Sequence, residues 1–146
     1  MKIGLFGGSF DPIHRGHVEP VLAARRELGL DVVHYLPTAQ PPHKPERRFA
    51  PAWRRFAMVE LALIDHPELL VSTHELEHAE PTYTIDTVEH FARTLPESEL
   101  YQIIGADSYN ELDQWRRWRD LLVTTKLVVL ARPGSRELRE DLPPEL

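Results

Sequence analysis

Short apolar runs alternate with segments of helical periodicity along most of this chain, and this order restricts the fold more than any other feature. Strands that alternate with helices pack most readily as a parallel sheet with helices on its faces. The runs that predict strands are Lys2–Phe6, Val32–Leu36, Leu69–Thr73, Leu100–Ile104 and Lys126–Ala131. The length of 146 residues suits one domain. We therefore predict an α/β fold, a doubly wound Rossmann-like parallel sheet, in a single domain spanning residues 1–146.

Three helices follow from the spacing of apolar residues. We predict the first over Arg15–Leu28, where Gly29 supplies the stop. The second ends before Pro67, and the third covers Thr84–Thr94. The positions at helical spacing are Trp53, Ala57, Leu61 and Ile64 in the second helix, and Ile85, Val88, Phe91 and Leu95, facing inward, in the third. The first, fourth and fifth strand runs are continuously apolar, which is typical of strands covered on both faces.

Composition narrows the classes of function. The chain carries 17 Lys and Arg against 23 Asp and Glu, a formal net charge of −6. An acidic chain repels polyanions, so we expect no nucleic-acid partner. The absence of cysteine excludes a disulfide framework, a thiol nucleophile and a cysteine-based zinc site. The first apolar run is too short for a signal-peptide core or a membrane span, so we expect a cytoplasmic protein.

The loop after the first strand carries the most informative motif. It reads Gly7-Gly8-Ser9-Phe10-Asp11-Pro12-Ile13-His14-Arg15-Gly16-His17. Two glycines allow a sharp turn and close approach of a ligand, and the N–H groups at a helix start favour anions, so we expect a phosphate here. The spacing matches neither Gly-x-Gly-x-x-Gly nor the P-loop. Ligands of such sheets bind beyond the carboxyl ends of the strands, in the loops after Phe6, Leu36, Ile104 and Ala131.

His14 and His17 stand three residues apart at the predicted helix start, so both rings can point above the sheet. Positioned donors of this kind stabilise the charge that builds up in phosphoryl or nucleotidyl transfer. Two other interpretations stay open, an ordinary polar surface turn and a zinc site. The zinc site lacks a third convergent ligand.

This loop resembles the signature of the nucleotidyltransferase superfamily with the His-x-Gly-His motif, and within it the bacterial nicotinate-nucleotide adenylyltransferases. Four further segments carry the resemblance, which runs from residue 1 to about residue 134. They are Pro41-Pro42-His43-Lys44, Arg55 to Met58, Pro81-Thr82-Tyr83-Thr84-Ile85-Asp86-Thr87, and Ile104-Gly105-Ala106-Asp107-Ser108 with Trp115 following.

The resemblance implies adenylyl transfer from ATP to nicotinate mononucleotide, which gives nicotinate adenine dinucleotide and pyrophosphate, with Mg²⁺ bound with ATP. It implies no covalent enzyme intermediate. The residues it implies for catalysis are His14, His17 and Lys44; for ATP binding, Gly7, Gly8, Ser9, Phe10, His14, His17, Gly105 and Asp107; and for nicotinate mononucleotide binding, Tyr83, Thr84, Trp115 and Arg116.

The residues by themselves support part of this assignment and leave alternatives. Lys44 is one of only three lysines, although it also suits a solvated loop. Asp107 follows the fourth strand, where it suits ribose hydroxyls or a helix cap. Tyr83 and Trp115 can stack on an aromatic ring, but Trp115 and Trp118 also have the spacing of a core stripe.

Two further segments have competing interpretations. Gln114-Trp115-Arg116-Arg117-Trp118-Arg119 mixes arginines and aromatic residues as a nucleic-acid binder does, which the net charge disfavours. His74-Glu75-Leu76-Glu77-His78 has two histidines four apart, but it follows a strand and precedes Pro81. We interpret it as a solvated loop with a structural Glu75, and not as a metal site.

The family pattern continues past the fifth strand to a segment of the type Ile-Ser-Ser-Thr-x-Ile-Arg, which closes over ATP. This sequence ends at Leu146 after residues 132–146, which have no strand pattern. We therefore expect a domain that lacks the C-terminal segment of the family. Two alternative functions remain, a nucleotide-binding but inactive homologue and a phosphopantetheine adenylyltransferase. The segment 81–87 and Trp115 argue against the second.

Overall fold

The computed structural model describes residues 1–38, 50–78, 82–130 and 138. Its strands are β1 (Lys2–Gly8), β2 (Val32–Pro37), β3 (Leu69–Val71), β4 (Glu99–Gly105) and β5 (Lys126–Leu130). All pair in parallel, in the order β3-β2-β1-β4-β5. The chain therefore builds outward from β1 in one direction and, after β3, crosses over to continue on its other side. This arrangement confirms the predicted doubly wound sheet.

The helices cover both faces of the sheet. They are α1 (Glu19–Leu28), α2 (Ala52–Ala62), α3 (Thr84–Thr94), α4 (Ala106–Asn110) and α5 (Trp118–Thr124), and 3-10 turns lie at Arg15–His17, His74–Glu77 and Leu112–Gln114. One core cluster contains Val21 of α1 and Val59 of α2, and the other contains Val88 of α3 and Leu121 of α5. No helix in the described part of the chain has the length and apolar character needed to cross a membrane.

The central strand, β1, packs closely against its neighbours at Gly4. A Cβ added at Gly4 would lie 3.0 Å from Ile103 Cδ1 and 3.0 Å from Val33 Cγ2. The Leu30 Cδ1 would lie 3.2 Å from the same added Cβ. Glycine at position 4 therefore allows β1, its neighbouring strands and Leu30 to pack this closely.

Two details of the predicted elements are wrong. The first helix begins at Glu19 and not at Arg15, because the residues before it form a 3-10 turn that the His14 side chain caps. The stop at Gly29 is confirmed, since Gly29 adopts the left-handed conformation with φ 68°. β5 is only half-buried apart from its exposed Lys126 and buried Leu130, because it lies at one edge of the described sheet.

The second helix is present, but its apolar stripe faces outward. Trp53, Leu61 and Ile64 are 67%, 69% and 73% exposed. The buried residues of α2 are Arg55 and Val59. The third helix agrees with its predicted limits and with its inward positions Ile85, Val88 and Phe91.

Candidate active site

One cavity of about 550 Å³ opens where β1 and β4 end. This is the edge of the sheet at which the sequence predicts a ligand. All the predicted site residues within the described segments, except His14, line it: Gly7, Gly8, Ser9, Phe10, His17, Gly105, Asp107, Tyr83, Thr84, Trp115 and Arg116. The fold therefore brings the residues predicted to bind ATP and those predicted to bind nicotinate mononucleotide to one cavity. Lys44 lies outside the described residues.

Gly7 and Gly8 do not make the sharp turn predicted for them. Both belong to β1, where they pair with Leu36 and Pro37. Both line the cavity, where the lack of a side chain leaves the backbone open to a ligand. An added Cβ would make no closer contact than 3.8 Å at Gly7 and 3.4 Å at Gly8. The turn falls at Phe10, which has φ 48° although it is not glycine.

Phe10 has a structural side chain in spite of its place in the predicted ATP loop. It is 2% exposed. Its ring packs edge-on to Phe6 and to His17, with centroids 5.6 Å and 5.2 Å apart. Tyr35 lies against the same ring at 5.5 Å. Because the Phe10 ring is buried, contact with a ligand at this residue falls to its backbone.

The two histidines have different positions. His17 lines the cavity, whereas His14 stacks on the His17 ring, with the two ring centroids 3.9 Å apart. His14 Nδ1 accepts a hydrogen bond from the Gly16 N–H at 3.1 Å, and His17 Nδ1 accepts one from the His14 N–H at 3.0 Å. Since both Nδ1 atoms accept, the neutral form of each ring carries its proton on Nε2. An Nε2–H group is a donor of the kind that can contact an anion.

Tyr35 supports this turn from within the core. It is fully buried, and its hydroxyl donates to the His17 carbonyl. Burial raises the pKa of Tyr35 far above its ordinary value, so the hydroxyl keeps its proton and remains a donor. The position of His17 therefore depends on β2 as well as on its own loop.

Arg55 ties together three backbone segments beside the cavity. Only 1% of the residue is exposed. Its Nε donates to the Ala50 carbonyl at 2.8 Å, and its NH1 donates to the Ser9 carbonyl at 2.8 Å and to the Thr38 carbonyl at 2.7 Å. Burial lowers the pKa of Arg55, and the nearby Asp11 carboxylate opposes this. This arginine thus holds the phosphate loop against the segment that leaves β2.

The opposite wall of the cavity carries the predicted nicotinate residues. The first N–H groups of an α-helix lack intrahelical partners. In α3 the N-cap residue is Tyr83, whose side chain makes no capping hydrogen bond to them. The Arg116 Cζ lies 4.7 Å from the centre of the Tyr83 ring. Arg117 connects this region to α3, with NH1 2.7 Å from Glu89 Oε1.

Trp115 and Trp118 do not form a single core stripe. Trp118 begins α5 and is 7% exposed. Trp115 lies outside the helix, in extended conformation, and is half-buried at the cavity wall. The core interpretation thus applies to Trp118, while Trp115 both packs on the core and faces the cavity.

Asp107 lines the cavity in the first turn of α4. The N-cap of α4 is Gly105, so Asp107 does not take the capping role left open by the sequence.

The segment 74–78 is not a loop throughout, but the structural role predicted for Glu75 agrees with its burial, and Glu77 and His78 are exposed. Residues 74–77 form a 3-10 turn, and Glu75 is 6% exposed in the cavity wall. Burial raises the pKa of Glu75 to about 7, against the smaller opposing effect of hydrogen bonds from Thr82 and Thr87. His74 and His78 contact each other at 4.8 Å between ring centroids.

Sequence reasoning missed several residues of the site. Arg55 is predicted only as part of a motif and Glu75 only as a structural residue, while Gln102, 4% exposed in β4, lines the cavity without any predicted role. The available signal was a polar residue inside an apolar pattern. Gln102 interrupts the fourth strand run, and Arg55 shares a helical face with Val59.

The described residues contain no group of three or more His, Asp or Glu side chains that could hold a metal ion. Mg²⁺ bound with a nucleotide does not require such a group, since it is commonly held by substrate phosphates, water and one or two carboxylates.

Comparison with known proteins shows which family this chain resembles. The cytidylyltransferase-like family profile matches residues 5–145. Curated relatives named probable nicotinate-nucleotide adenylyltransferase include one from Serratia proteamaculans, 47% identical with 95% of this chain and 63% of the relative covered. Another, from Thermus thermophilus, is 44% identical, with 92% and 71% covered.

Solved structures agree on the fold. A putative nicotinate-nucleotide adenylyltransferase from Vibrio parahaemolyticus superposes with a TM-score of 0.74 at 17% identity, covering 88% of this chain and 72% of that one. The Plasmodium falciparum nicotinic acid mononucleotide adenylyltransferase complexed with NaAD gives 0.73 at 21% identity, covering 88% and 63%.

The chain is shorter than its curated relatives. It spans 65% of the length of the Pelobacter propionicus protein, to which it is 43% identical over 142 residues. The identity and coverage of these matches nevertheless exceed what a shared fold alone would require. The chain belongs to the cytidylyltransferase-like family and, within it, to the nicotinate-nucleotide adenylyltransferases.

Proposed function

We propose that this protein transfers an adenylyl group from ATP to nicotinate mononucleotide, giving nicotinate adenine dinucleotide and pyrophosphate in the biosynthesis of NAD. The observation that carries the proposal is that one cavity joins the loop of residues 7–17 to the wall formed by Tyr83, Thr84 and Trp115. The first offers donors for phosphates, and the second offers aromatic faces and helix N–H groups for a ring with a carboxylate.

In the proposed reaction, an oxygen of the mononucleotide phosphate attacks the α-phosphorus of ATP. A new P–O bond forms as the bond to the bridging oxygen of the β-phosphate breaks, and pyrophosphate leaves with that electron pair. No proton transfer to the protein is needed, because the attacking phosphate oxygen is already ionised. The residues act by positioning the substrates and stabilising charge.

His17 is the side chain that we assign to the charge on the phosphates. It lines the cavity, and its Nδ1 accepts from the His14 N–H, so its neutral ring carries the proton on Nε2. The backbone of residues 7–10 lies against the same space and admits close approach at the two glycines. We assign His14 to positioning and charge through its stack on His17, and Lys44 stays a proposed phosphate contact outside the described residues.

The mononucleotide ring is assigned to the wall of Tyr83 and Trp115. Its carboxylate would accept hydrogen bonds from backbone N–H groups near Thr84 and Arg116, and the Arg116 guanidinium over Tyr83 adds positive charge there. Asp107 and Gly105 are assigned to ATP, with Asp107 on ribose hydroxyls. Mg²⁺, bound with ATP, would neutralise charge on the phosphates and on the leaving pyrophosphate.

The proposal is tested first by calorimetry with this chain, using nicotinate mononucleotide and ATP with Mg²⁺ separately. Pyrophosphate release from both substrates together is then measured, with nicotinamide mononucleotide and phosphopantetheine as alternative acceptors. We expect nicotinate mononucleotide to bind and to be the best acceptor. Faster turnover of phosphopantetheine would overturn the substrate assignment.

His17→Ala tests the catalytic part. In an active form, we expect a fall in kcat of about 10²–10³-fold with a smaller change in KM for the mononucleotide, as for loss of one charge-stabilising donor. His66→Ala is the matched control, since His66 lies away from the cavity beside Glu68. An unchanged kcat would remove His17 from the mechanism.

A nucleotide-binding function without turnover is the second candidate. The wall of Tyr83, Thr84 and Trp115 is compatible with it, because these residues offer groups that bind a ring and its carboxylate. Mononucleotide binding without pyrophosphate release would support this candidate. Cell fractionation would test the expected cytoplasmic location.

A further inference from the structure

Glu75 is a buried carboxyl group to which the proposed reaction gives no role. It lies in the 3-10 turn between β3 and α3 and is 6% exposed. Its Oε1 accepts a hydrogen bond from the Thr82 hydroxyl at 3.0 Å, and its Oε2 accepts one from the Thr87 hydroxyl at 3.1 Å. One carboxyl group thus contacts both sides of the segment that contains Tyr83 and Thr84.

The two threonines are placed so that they can hold the start of α3. Thr82 comes directly before the N-cap Tyr83, and Thr87 is a buried residue of the first turn, 2% exposed. The backbone between them carries the N–H groups that point out of the helix start. Fixing both ends of this short segment fixes the direction of those donors and of the Tyr83 ring.

A carboxyl group at this position is costly to bury, so its presence needs a reason. No Lys or Arg among the described residues forms an ion pair with it. Burial raises the pKa of Glu75 to about 7, which shows the penalty on its charged form. An apolar side chain would fill the space without that penalty but would leave two hydroxyls without their acceptor.

We infer that Glu75 is a positioning residue for the mononucleotide, holding Thr82 and Thr87 so that the Tyr83–Thr84 wall is ordered before the ligand arrives. The inference rests on the proposed function, whose mononucleotide side it deepens. The ATP side of the cavity is built from β1 and its loop, which Arg55 and Tyr35 hold independently. Loss of Glu75 should therefore weaken one ligand and spare the other.

The first test needs no ligand. Hydrogen–deuterium exchange is compared for Glu75→Ala, Thr87→Val, Glu75→Gln and the intact chain. Glu75→Ala and Thr87→Val should accelerate exchange of the amides of residues 86 and 87, which donate to the Tyr83 carbonyl, by about tenfold, because local opening becomes easier. Glu75→Gln should stay near wild type, since an amide can accept from one hydroxyl and donate to the other.

The matched control is Glu77→Ala in the same turn. Glu77 is exposed and accepts a hydrogen bond from the Thr73 hydroxyl at 2.8 Å, away from α3. Glu77→Ala should leave exchange of the amides of residues 86 and 87 unchanged. Thr87→Val serves as the second variant if Glu75→Ala does not fold, and circular dichroism reports folding for each.

The second test measures binding of nicotinate mononucleotide and of ATP with Mg²⁺ by calorimetry. Glu75→Ala should raise the Kd for the mononucleotide about 10- to 100-fold, as small displacements of positioning groups do, while the Kd for ATP changes less than twofold. Glu75→Gln should restore most of the affinity. An unchanged mononucleotide Kd, an equal loss for both ligands, or a Gln variant as weak as the Ala variant would each overturn the inference.

The proposed function and the role of Glu75 can be refuted separately. If the intact chain does not bind the mononucleotide, the proposed function and the ligand named here are overturned together. If it binds and Glu75→Ala binds equally well, only the role of Glu75 is overturned. The exchange measurement decides separately whether Glu75 orders the start of α3.

Discussion

Replacement of Arg55 should cost more stability than any exposed arginine, because this side chain carries three backbone contacts in the interior. We choose Arg55→Met, which keeps most of the stem volume and removes the guanidinium. The change leaves the carbonyls of Ser9, Thr38 and Ala50 without the donors that now lie at 2.7–2.8 Å. It therefore tests the hydrogen bonds with little loss of packing.

The magnitude follows from the number and environment of these bonds. Each hydrogen bond to a charged group contributes about 1.5–3 kcal/mol. The three acceptor residues are only half-buried, so water can replace part of what is lost. We expect the free energy of unfolding to fall by about 3–5 kcal/mol. For a chain of this length that corresponds to a decrease in Tm of about 10–15 °C.

Urea unfolding monitored by circular dichroism measures this loss, and the neighbouring Arg54 provides the control. Arg54 is exposed and lies over the Trp53 ring at 5.2 Å. Arg54→Met should therefore change the free energy of unfolding by less than about 1 kcal/mol. Equal stability of the two variants, or an Arg55→Met variant within about 1 kcal/mol of the intact chain, would refute a stabilising role for these hydrogen bonds.

Three further predictions concern the same framework. Because burial raises the pKa of Glu75 to about 7 from 4.5, the folded state retains a proton that the unfolded chain releases between these pH values, so stability falls as pH rises through that interval. Glu75→Gln removes this dependence, and relative to the intact chain it should gain up to about 3 kcal/mol between pH 4.5 and pH 8 in urea titrations; parallel curves would contradict this. Gly4→Ala should destabilise by about 1–3 kcal/mol through overpacking, whereas Gly105→Ala, whose Cβ meets nothing within 4 Å, should be nearly neutral in thermal melts. Trp115→Ala should weaken mononucleotide binding in calorimetry with little effect on ATP, and an equal loss for both ligands would indicate a purely structural role.

Local patterns predicted the elements whose burial is uniform along their length. The runs around β1 and β4 are largely apolar, with Gln102 as the polar interruption of the second, so a parallel sheet buries them and no tertiary information is needed to recognise them. The third helix was equally clear, because one face holds Ile85, Val88 and Phe91 and the limits coincide with the structure. The position of the cavity followed from the parallel sheet itself.

The second helix shows where such patterns fail. Its apolar residues at helical spacing predicted a helix correctly, but the inward face is the one with Arg55 and Val59. The spacing of apolar residues shows which residues share a face of a helix. It does not show which face packs against the rest of the protein. Burial of an arginine becomes favourable only because three carbonyls from other segments meet there.

The sequence alone determined the parallel α/β sheet, the loop with His14 and His17 at its edge, and the resemblance that named the substrates. Only the tertiary structure decided that His17 lines the cavity while His14 stacks on it, that Phe10 belongs to the core, and that Glu75 is buried. The physical reason is the range of the interactions. Strand and helix patterns arise from neighbours a few residues apart, whereas the placement of a polar side chain depends on partners that the fold brings together from distant parts of the chain.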